Sequence, residues 1–307
     1  MLKISPKRLM AGDTIGIVAP ASPPNQESLT RSFAFLESLG LKWKLGKHVK
    51  DVNGYLAGTD EDRLADLEEM FADPEIAGIL CAGGGYGSAR FAERLDYQLI
   101  QENPKVFWGF SDITYLHTAI ANYTDLITFH GPMLASCVGK ETFHELSAKM
   151  FHQLFEPMEL HYSEAISPLE TLSPGFASGE LTGGNLSLLA SSIGTKFEVN
   201  TKGKLLLIED VGEEPYRVDN LMNQLRLSGK FSDAAGIIIG DFAKAEPKKE
   251  ISLTLDEVFL HYTADLGKPV VSGFKIGHCE PHFAIPLGAD ARLDADQKTL
   301  TILPGVE

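Results

Sequence analysis

The sequence predicts an α/β protein of two domains, with a doubly wound parallel sheet in its first half. A chain of 307 residues is long enough for more than one hydrophobic core. An apolar content of 44% and a charged content of 22% are ordinary for a globular protein. Strand-like and helix-like segments alternate in the first half, which favours a parallel sheet with helices on both faces. Ligands of such sheets bind at the carboxyl ends of the strands.

The elements of the first half are predicted from apolar spacing and from capping or turn residues at their ends. In order, they are a strand over 14–21, a helix over 26–40, a strand over 41–49, a helix over 58–74, a strand over 76–82, a helix over 88–96, a strand over 105–110, a helix from Ser111, and a strand-like segment over 126–132.

Residues 161–178 have no clear periodicity and contain prolines and a glycine, so the sequence predicts an interdomain linker there. The predicted domains are therefore 1–160 and 179–307. The second mixes short strands with fewer helices.

The net charge of −15 argues against a nucleic-acid or anionic-membrane partner, since both require a basic face. No apolar run reaches the roughly 18 residues of a membrane span, and the first residues do not resemble a secretory signal. We therefore expect a cytoplasmic location. The three cysteines are far apart and are interpreted as small buried side chains.

The stretch "KVFWGFSDITYLH" passes from a predicted strand to a predicted helix within a few residues, with Ser111 at the corner. A serine there can cap the helix. It can also act as a nucleophile, because unpaired N–H groups at a helix start stabilise an oxyanion. The segment lacks the second glycine of G-x-S-x-G, so the corner alone leaves both roles open.

A serine nucleophile requires a base and a residue that orients it. His278 follows a strand-like run and a glycine, and His130 has a similar setting, whereas His117 lies in the helix after Ser111 and cannot readily fold back to it. Glu209 and Asp210 end an apolar strand and are candidates to orient the base.

Two other patterns have weaker interpretations. "CAGGGYGSAR" misses the last glycine of G-x-G-x-x-G and is not a P-loop, but its N–H groups could complete an oxyanion hole. The alternating His278, Glu280 and His282 would share one side of an extended chain as metal ligands, although Pro281 excludes the helical HExxH arrangement. A triad without a metal is the preferred interpretation.

Taken together, several segments resemble the LD-carboxypeptidases of peptidase family S66. They occur in the family's order from about Gly12 to Gly288 and are "GDTIGIVAPAS", "GGGYGSAR", "GFSDITYLH", "TFHGPM", "LTGGNLSLL", "IEDVGEEPYRVD" and "GHCEPHFAIPLG". The resemblance implies a flavodoxin-like N-terminal domain and a barrel-like α/β C-terminal domain. One departure is Cys279, where the family often has glycine.

The resemblance also implies the catalytic residues. Ser111 matches the nucleophile, Glu209 the orienting carboxylate and His278 the base. The oxyanion donors would be the backbone N–H groups of Asp112 and Gly85, with Gly84 as the alternative to Gly85. Such a mechanism needs no metal or organic cofactor.

The implied reaction is cleavage of the amide between an L-centre and a terminal D-residue, with murein tetrapeptide losing D-alanine as the usual substrate. The first alternative is a peptidase that inactivates peptidyl-nucleotide antibiotics of the microcin C type. Those relatives carry a tryptophan near the domain junction, whereas the tryptophans here are Trp43 and Trp108, in the first half. The second alternative is a non-catalytic two-domain protein that binds a peptide or sugar.

Arg90 and Arg217 are candidates to bind the substrate carboxylate, because arginine can hold a carboxylate bidentately. Exposed surface arginines are the other interpretation of both. The partner is expected to be a muropeptide or another small peptide, and the resemblance also allows a homodimer.

Overall fold

The computed structural model describes residues 3–307, and the chain divides into two compact units. The first unit extends to Met158 and also contains Phe283–Gly288 and Pro304–Glu307. The second unit consists of Glu159–His282 and Ala289–Leu303.

The strands, in chain order, are β1 Thr14–Val18, β2 Lys42–Leu45, β3 Ile76–Cys81, β4 Val106–Gly109, β5 Thr128–His130, β6 Leu160–Tyr162, β7 Glu170–Ser173, β8 Phe176–Asn185, β9 Leu205–Val211, β10 Gly236–Ala243, β11 Val270–Ser272, β12 Ile285–Leu287, β13 Asp290–Asp294 and β14 Thr299–Ile302. The α-helices are α1 Gln26–Ser38, α2 Asp60–Ala72, α3 Tyr97–Glu102, α4 Thr114–Thr124, α5 Glu145–Lys149, α6 Leu186–Ser192, α7 Pro215–Leu227, α8 Lys230–Asp233 and α9 Leu255–Thr263.

The sheet of the first unit has the order β12-β5-β4-β3-β1-β2. β1 to β5 are parallel in the order 2-1-3-4-5, which is the flavodoxin-like arrangement, and β12 pairs antiparallel with β5. The chain winds outward from β1 in both directions, so right-handed crossovers place helices on both faces. The predicted doubly wound sheet is confirmed.

The direction of winding reverses between β1 and β3, and ligands of open α/β sheets bind at the carboxyl ends beside such a point. The segments that leave β1, β3 and β4 there contain Ser22, Gly84 and Ser111. The fold therefore brings these three segments to one edge of the sheet.

The second unit has a mixed sheet of the order β6-β14-β13-β8-β9-β10-β11-β7. β8 to β11 are parallel to one another, and the outer strands pair antiparallel. The sheet is curled into a half-barrel, which confirms the predicted barrel-like α/β domain. Helices α6, α7 and α9 cover it with a core that includes Leu206, Met222 and Phe259.

Two local predictions differ from the structure. The helix predicted over 88–96 is instead two 3₁₀ turns, Ser88–Arg90 and Ala92–Arg94, and α3 follows them. The helix predicted from Ser111 starts with a 3₁₀ turn over Ser111–Ile113, and α4 begins at Thr114.

The segment 161–178, predicted as a linker, contains most of β6, all of β7 and the start of β8. β6 and β7 are the two edge strands of their sheet and are only three and four residues long, so they are too short to give a periodic signal. The segments 283–288 and 304–307, predicted in the second domain, belong to the first unit. Local spacing does not reveal such a return, because it depends on the pairing of β12 with β5.

Within residues 3–307, no helix is both long and apolar enough to cross a membrane. In the same part of the chain, Cys81, Cys137 and Cys279 form no disulfide; Cys81 is buried as predicted, whereas Cys137 and Cys279 are only half-buried.

Candidate active site

Ser111 lies in a strained backbone conformation at the carboxyl end of β4. Phe110 before it is extended, and Ser111 itself has φ of 64°, the left-handed region that side chains other than glycine rarely adopt. Such a residue costs on the order of 1–3 kcal/mol and persists where the surroundings enforce it, which is typical of functional sites. Ile113, not Ser111, occupies the N-cap position of α4. The geometry therefore favours the nucleophile over the helix cap.

Gly84 lies directly against Ser111. A Cβ added to Gly84 would be 3.0 Å from Ser111 Cβ and 3.1 Å from Ser111 Oγ, so a side chain there would press on the hydroxyl. Ser22 holds the same turn, because its N–H donates to the Gly84 carbonyl at 3.1 Å and its Oγ accepts from Tyr86 N–H at 3.2 Å. A Cβ at Gly85 would instead meet Ser22 Oγ at 2.3 Å. Of the two glycines considered for the oxyanion hole, Gly84 is thus the one beside the serine.

Asp112 joins the turn at Ser111 to the glycine-rich turn after β3 through two hydrogen bonds from Ser88. The Ser88 N–H donates to Asp112 Oδ2 at 2.8 Å, and the Ser88 hydroxyl donates to the Asp112 carbonyl at 2.7 Å. Burial raises the pKa of the Asp112 carboxyl, although the hydrogen bonds from Ser88 favour its charged form. These contacts fix the side chain of Asp112 and the peptide that follows it. We call Gly84, Ser111 and Asp112 the nucleophile corner.

His278 and Glu209 form a hydrogen-bonded pair in the second unit. Glu209 is fully buried toward the carboxyl end of β9, and its Oε2 lies 2.7 Å from His278 Nδ1. A Cβ at Gly277 would be 2.5 Å from the same oxygen, so the close approach requires glycine before the histidine. Since a carboxylate only accepts, Nδ1 carries the proton and the neutral ring keeps a lone pair on Nε2.

Opposing effects set the pKa of His278. Burial lowers the pKa, but the hydrogen bond and charge of Glu209 raise it, as do the charges of Asp210 and Asp241. The net result is a pKa above the ordinary histidine value. The imidazolium is therefore stabilised, which a base that accepts a proton during a reaction needs.

Asp210 fixes the start of α6. Its carboxylate accepts hydrogen bonds from Asn185 Nδ2 at 2.9 Å and from Ser187 N–H and Oγ at 2.9 and 2.8 Å. Burial raises the pKa of Asp210, against the effect of these hydrogen bonds. Of the two acidic residues that the sequence offered, Glu209 is the one that contacts the histidine. We call Glu209, Asp210 and His278 the base corner.

The remaining candidates are placed as follows. Arg90 pairs with Asp60 at 2.8 Å, and Arg217 pairs with Glu213 at 3.4 Å. A substrate carboxylate would compete with these pairs, and the role of both arginines stays a prediction. His130 is buried on β5 with its ring against Phe110.

The alternating residues of the metal alternative do not form a compact ligand set. Across residues 3–307, the only group of three that brings its ligand atoms within 4.8 Å of one another is His48, Asp51 and Asp62. His48 is already bonded to Asp51 through Nδ1 at 2.7 Å. Exposed groups of this kind are common without an ion, and the set contains none of the residues of the two corners.

Sequence reasoning missed Ser22 and Ser88, which hold the glycine-rich turn, and Asn185 and Ser187, which hold Asp210. Asn185 ends β8 and Ser187 lies just after it, whereas Ser22 and Ser88 lie in the loops that follow β1 and β3. A small polar residue at or after a strand end was the available signal.

Comparison with known proteins identifies the family of this chain. The N-terminal domain model of the LD-carboxypeptidases, Peptidase_S66, matches residues 15–131, and the C-terminal domain model matches residues 178–293. The chain therefore belongs to the LD-carboxypeptidase family, peptidase family S66, and is a serine-type LD-carboxypeptidase by class. The resemblance inferred from the sequence motifs is confirmed.

Several similar proteins align with nearly the whole chain. The Probable murein peptide carboxypeptidase of Bacillus subtilis is 52% identical over 306 residues, which cover 99% of this chain and 96% of that protein. The Murein tetrapeptide carboxypeptidase of Pseudomonas aeruginosa is 32% identical and covers 92% and 94%. Among solved structures, the microcin C7 self-immunity protein MccF in complex with aspartyl sulfamoyl adenosine has a TM-score of 0.89 at 27% identity, covering 98% of each chain.

Proposed function

We propose that this protein hydrolyses the amide between an L-centre and a terminal D-amino acid, releasing D-alanine from murein tetrapeptide. The proposed triad is Ser111, His278 and Glu209. The observation that carries the proposal is the strained, left-handed Ser111 beside a glycine that leaves room at its hydroxyl. Strain of this kind at a strand end is typical of a serine held to react.

In the first step, His278 Nε2 takes the proton of Ser111 as the serine oxygen attacks the scissile carbonyl. Glu209 keeps the proton of His278 on Nδ1 and stabilises the imidazolium that forms. The negative charge that develops on the carbonyl oxygen is bound by backbone N–H groups, for which we propose Asp112 and the turn at Gly84 and Gly85.

The second half of the cycle reverses these roles. The imidazolium of His278 gives its proton to the leaving amine, and the acyl group remains on Ser111. Water then attacks the acyl-enzyme with His278 as base, which frees the serine. The proposal requires His278 Nε2 and Ser111 Oγ to come within hydrogen-bond distance during the cycle.

The murein substrate is supported by the relatives. The 52% identical protein is named for murein peptides and the 32% identical one for murein tetrapeptide.

The alternative substrate is a peptidyl-nucleotide. It is favoured by the structural likeness to MccF, which has been solved with glutamyl sulfamoyl guanosine and with aspartyl sulfamoyl adenosine. The identity to MccF of Escherichia coli is 27%, about half the identity to the Bacillus protein, so we place this function second.

A substrate panel distinguishes these functions. Purified protein is incubated with murein tetrapeptide, the matching tripeptide and an aspartyl sulfamoyl adenosine, and products are identified by mass spectrometry. We expect D-alanine from tetrapeptide alone. Cleavage of the nucleotide conjugate with tetrapeptide intact would favour the second function. Binding of either compound without cleavage would instead favour the non-catalytic binding protein.

A further inference from the structure

His117 is a buried histidine that the proposed triad does not use. It lies on α4, six positions after Ser111, and only 2% of its surface is exposed. Its ring packs edge-to-face against Phe107 of β4, with ring centroids 5.4 Å apart. The side chain therefore lies beneath the nucleophile corner, between the helix that follows Ser111 and the strand that precedes it.

The hydrogen bonds of His117 define which nitrogen carries its proton. Nε2 lies 2.8 Å from the Gly109 carbonyl oxygen, and Nδ1 lies 2.9 Å from Thr128 Oγ1. A carbonyl only accepts, so Nε2 is protonated. Burial lowers the pKa of His117 to about 3, so the ring is neutral at ordinary pH and Nδ1 accepts from the Thr128 hydroxyl. A ring in this state cannot serve as a general base near neutral pH.

The Gly109 carbonyl is held by two donors. Besides Nε2–H of His117, it accepts the Gly131 N–H at 3.2 Å. A carbonyl oxygen has two lone pairs, so its capacity is filled and the peptide plane that joins Gly109 to Phe110 is fixed. Phe110 is extended, and the next residue is Ser111 at φ 64°. The orientation of that peptide plane therefore sets the position and direction from which the backbone continues through Phe110 to the strained Ser111.

We propose that His117 is a positioning residue that holds Ser111, in the nucleophile corner, in its strained conformation through the Gly109 carbonyl. This inference rests on the proposed function, in which Ser111 is the nucleophile. Ser88 fixes the corner on the far side through Asp112, and His117 fixes it on the near side. Thr128 supports the arrangement, because its hydroxyl occupies Nδ1 and keeps the proton on Nε2.

A neutral hydrogen-bonding ring suits this task better than an apolar one. An apolar side chain of similar size would fill the same space but leave one acceptor site of the Gly109 carbonyl without a donor in a buried setting. The backbone at Ser111 would then lose one of the hydrogen bonds that hold it in the strained conformation, and it could relax. A displacement of about 1 Å at a reacting atom can lower a rate on the order of 100-fold.

Kinetics of three variants test the inference. His117→Leu removes both hydrogen bonds at similar volume, and His117→Gln retains an N–H donor. Ile120→Ala is the matched control, since Ile120 is fully buried one turn later on the same helix. With murein tetrapeptide we expect His117→Leu to lower kcat by about 10- to 100-fold with KM within about threefold. We expect His117→Gln to recover a large part of kcat.

The control separates positioning from stability. Ile120→Ala should lower the melting temperature at least as much as His117→Leu while keeping most of kcat. If His117→Leu keeps kcat within twofold, or if Ile120→Ala loses as much kcat, the inference is wrong.

Crystal structures of wild type and His117→Leu decide the question without any substrate. We expect the Gly109 carbonyl and Ser111 Oγ to shift by more than about 0.5 Å, the precision that a reactive site requires. If the atoms of the nucleophile corner occupy the same positions in both structures, the inference is wrong even if the protein cleaves tetrapeptide. Conversely, a shifted corner in a protein that cleaves no tetrapeptide would refute the proposed function and support the inference.

Discussion

The nucleophile corner and the base corner are built on different physical principles. The nucleophile corner depends on backbone conformation and steric fit, with Ser111 at a positive φ and Gly84 pressed against it. The base corner depends on charge, with His278 bonded to buried Glu209 and influenced by Asp210 and Asp241. The comparison teaches that one corner should fail when its shape changes, and the other when its charge changes.

Removing the charge of Glu209 should have the largest effect at the base corner. Glu209→Gln leaves a side chain of the same shape but takes away the carboxylate that fixes the histidine tautomer. We expect kcat for tetrapeptide to fall on the order of 10³- to 10⁴-fold. Steady-state kinetics measures this loss, and Glu37→Gln is the control because Glu37 is an exposed carboxylate on α1, outside the base corner.

The pH profile of the same variants sharpens the comparison. His278 must be neutral to act as a base, so activity should fall as pH falls through its raised pKa. Glu209→Gln removes a negative charge that raises this pKa, so the acid limb of kcat/KM should move to lower pH. An acid limb that stays in place would show that another group controls it.

A change of shape at Gly84 should have the next largest effect. Gly84→Ala places a methyl group about 3 Å from Ser111 Oγ, and we expect kcat to fall on the order of 10²-fold. Because no charge changes, the pH profile should keep its position. Gly83→Ala is the matched control, since an added Cβ at Gly83 meets no atom within 4 Å. Equal losses in both variants would mean that contact with the serine is not the cause.

The smallest expected effect is on stability at Ser111. Glycine adopts a positive φ readily and alanine does not, so Ser111→Gly should be more stable than Ser111→Ala by about 1 kcal/mol. Chemical denaturation of the two inactive variants measures the difference. If Ser111→Ala has the larger free energy of unfolding, the backbone at Ser111 is not strained as the geometry indicates.

Much of the fold could be predicted from sequence, because the parallel strands of the first unit are apolar runs separated by helices with clear spacing. The failures have physical reasons. Edge strands β6 and β7 are only three and four residues long, too short to show a period, so the prolines and glycine around them predict a linker instead. The 3₁₀ turns after Gly87 depend on hydrogen bonds between Ser88 and Asp112, residues far apart in the chain.

The candidate site was predictable to the extent that motifs mark it. Ser111, Glu209 and His278 all belong to segments that resemble the family, and Glu209 and His278 are indeed bonded. The sequence predicts the second oxyanion donor at Gly85, with Gly84 as the alternative, and it does not reveal that Gly84 is the glycine against the serine. The restraint from His117 was hidden as well, since its partner is a backbone carbonyl rather than a side chain.

The most direct test of the triad is D-alanine release from murein tetrapeptide by wild type and Ser111→Ala, with Ser38→Ala as control. Ser38 is an exposed serine bonded to a carbonyl of its own helix. We predict that Ser111→Ala lowers kcat by roughly 10⁴- to 10⁶-fold, the scale seen when a serine nucleophile is removed, and that Ser38→Ala keeps it. Release of D-alanine by Ser111→Ala within tenfold of the wild-type rate would contradict the assignment of Ser111 as the nucleophile.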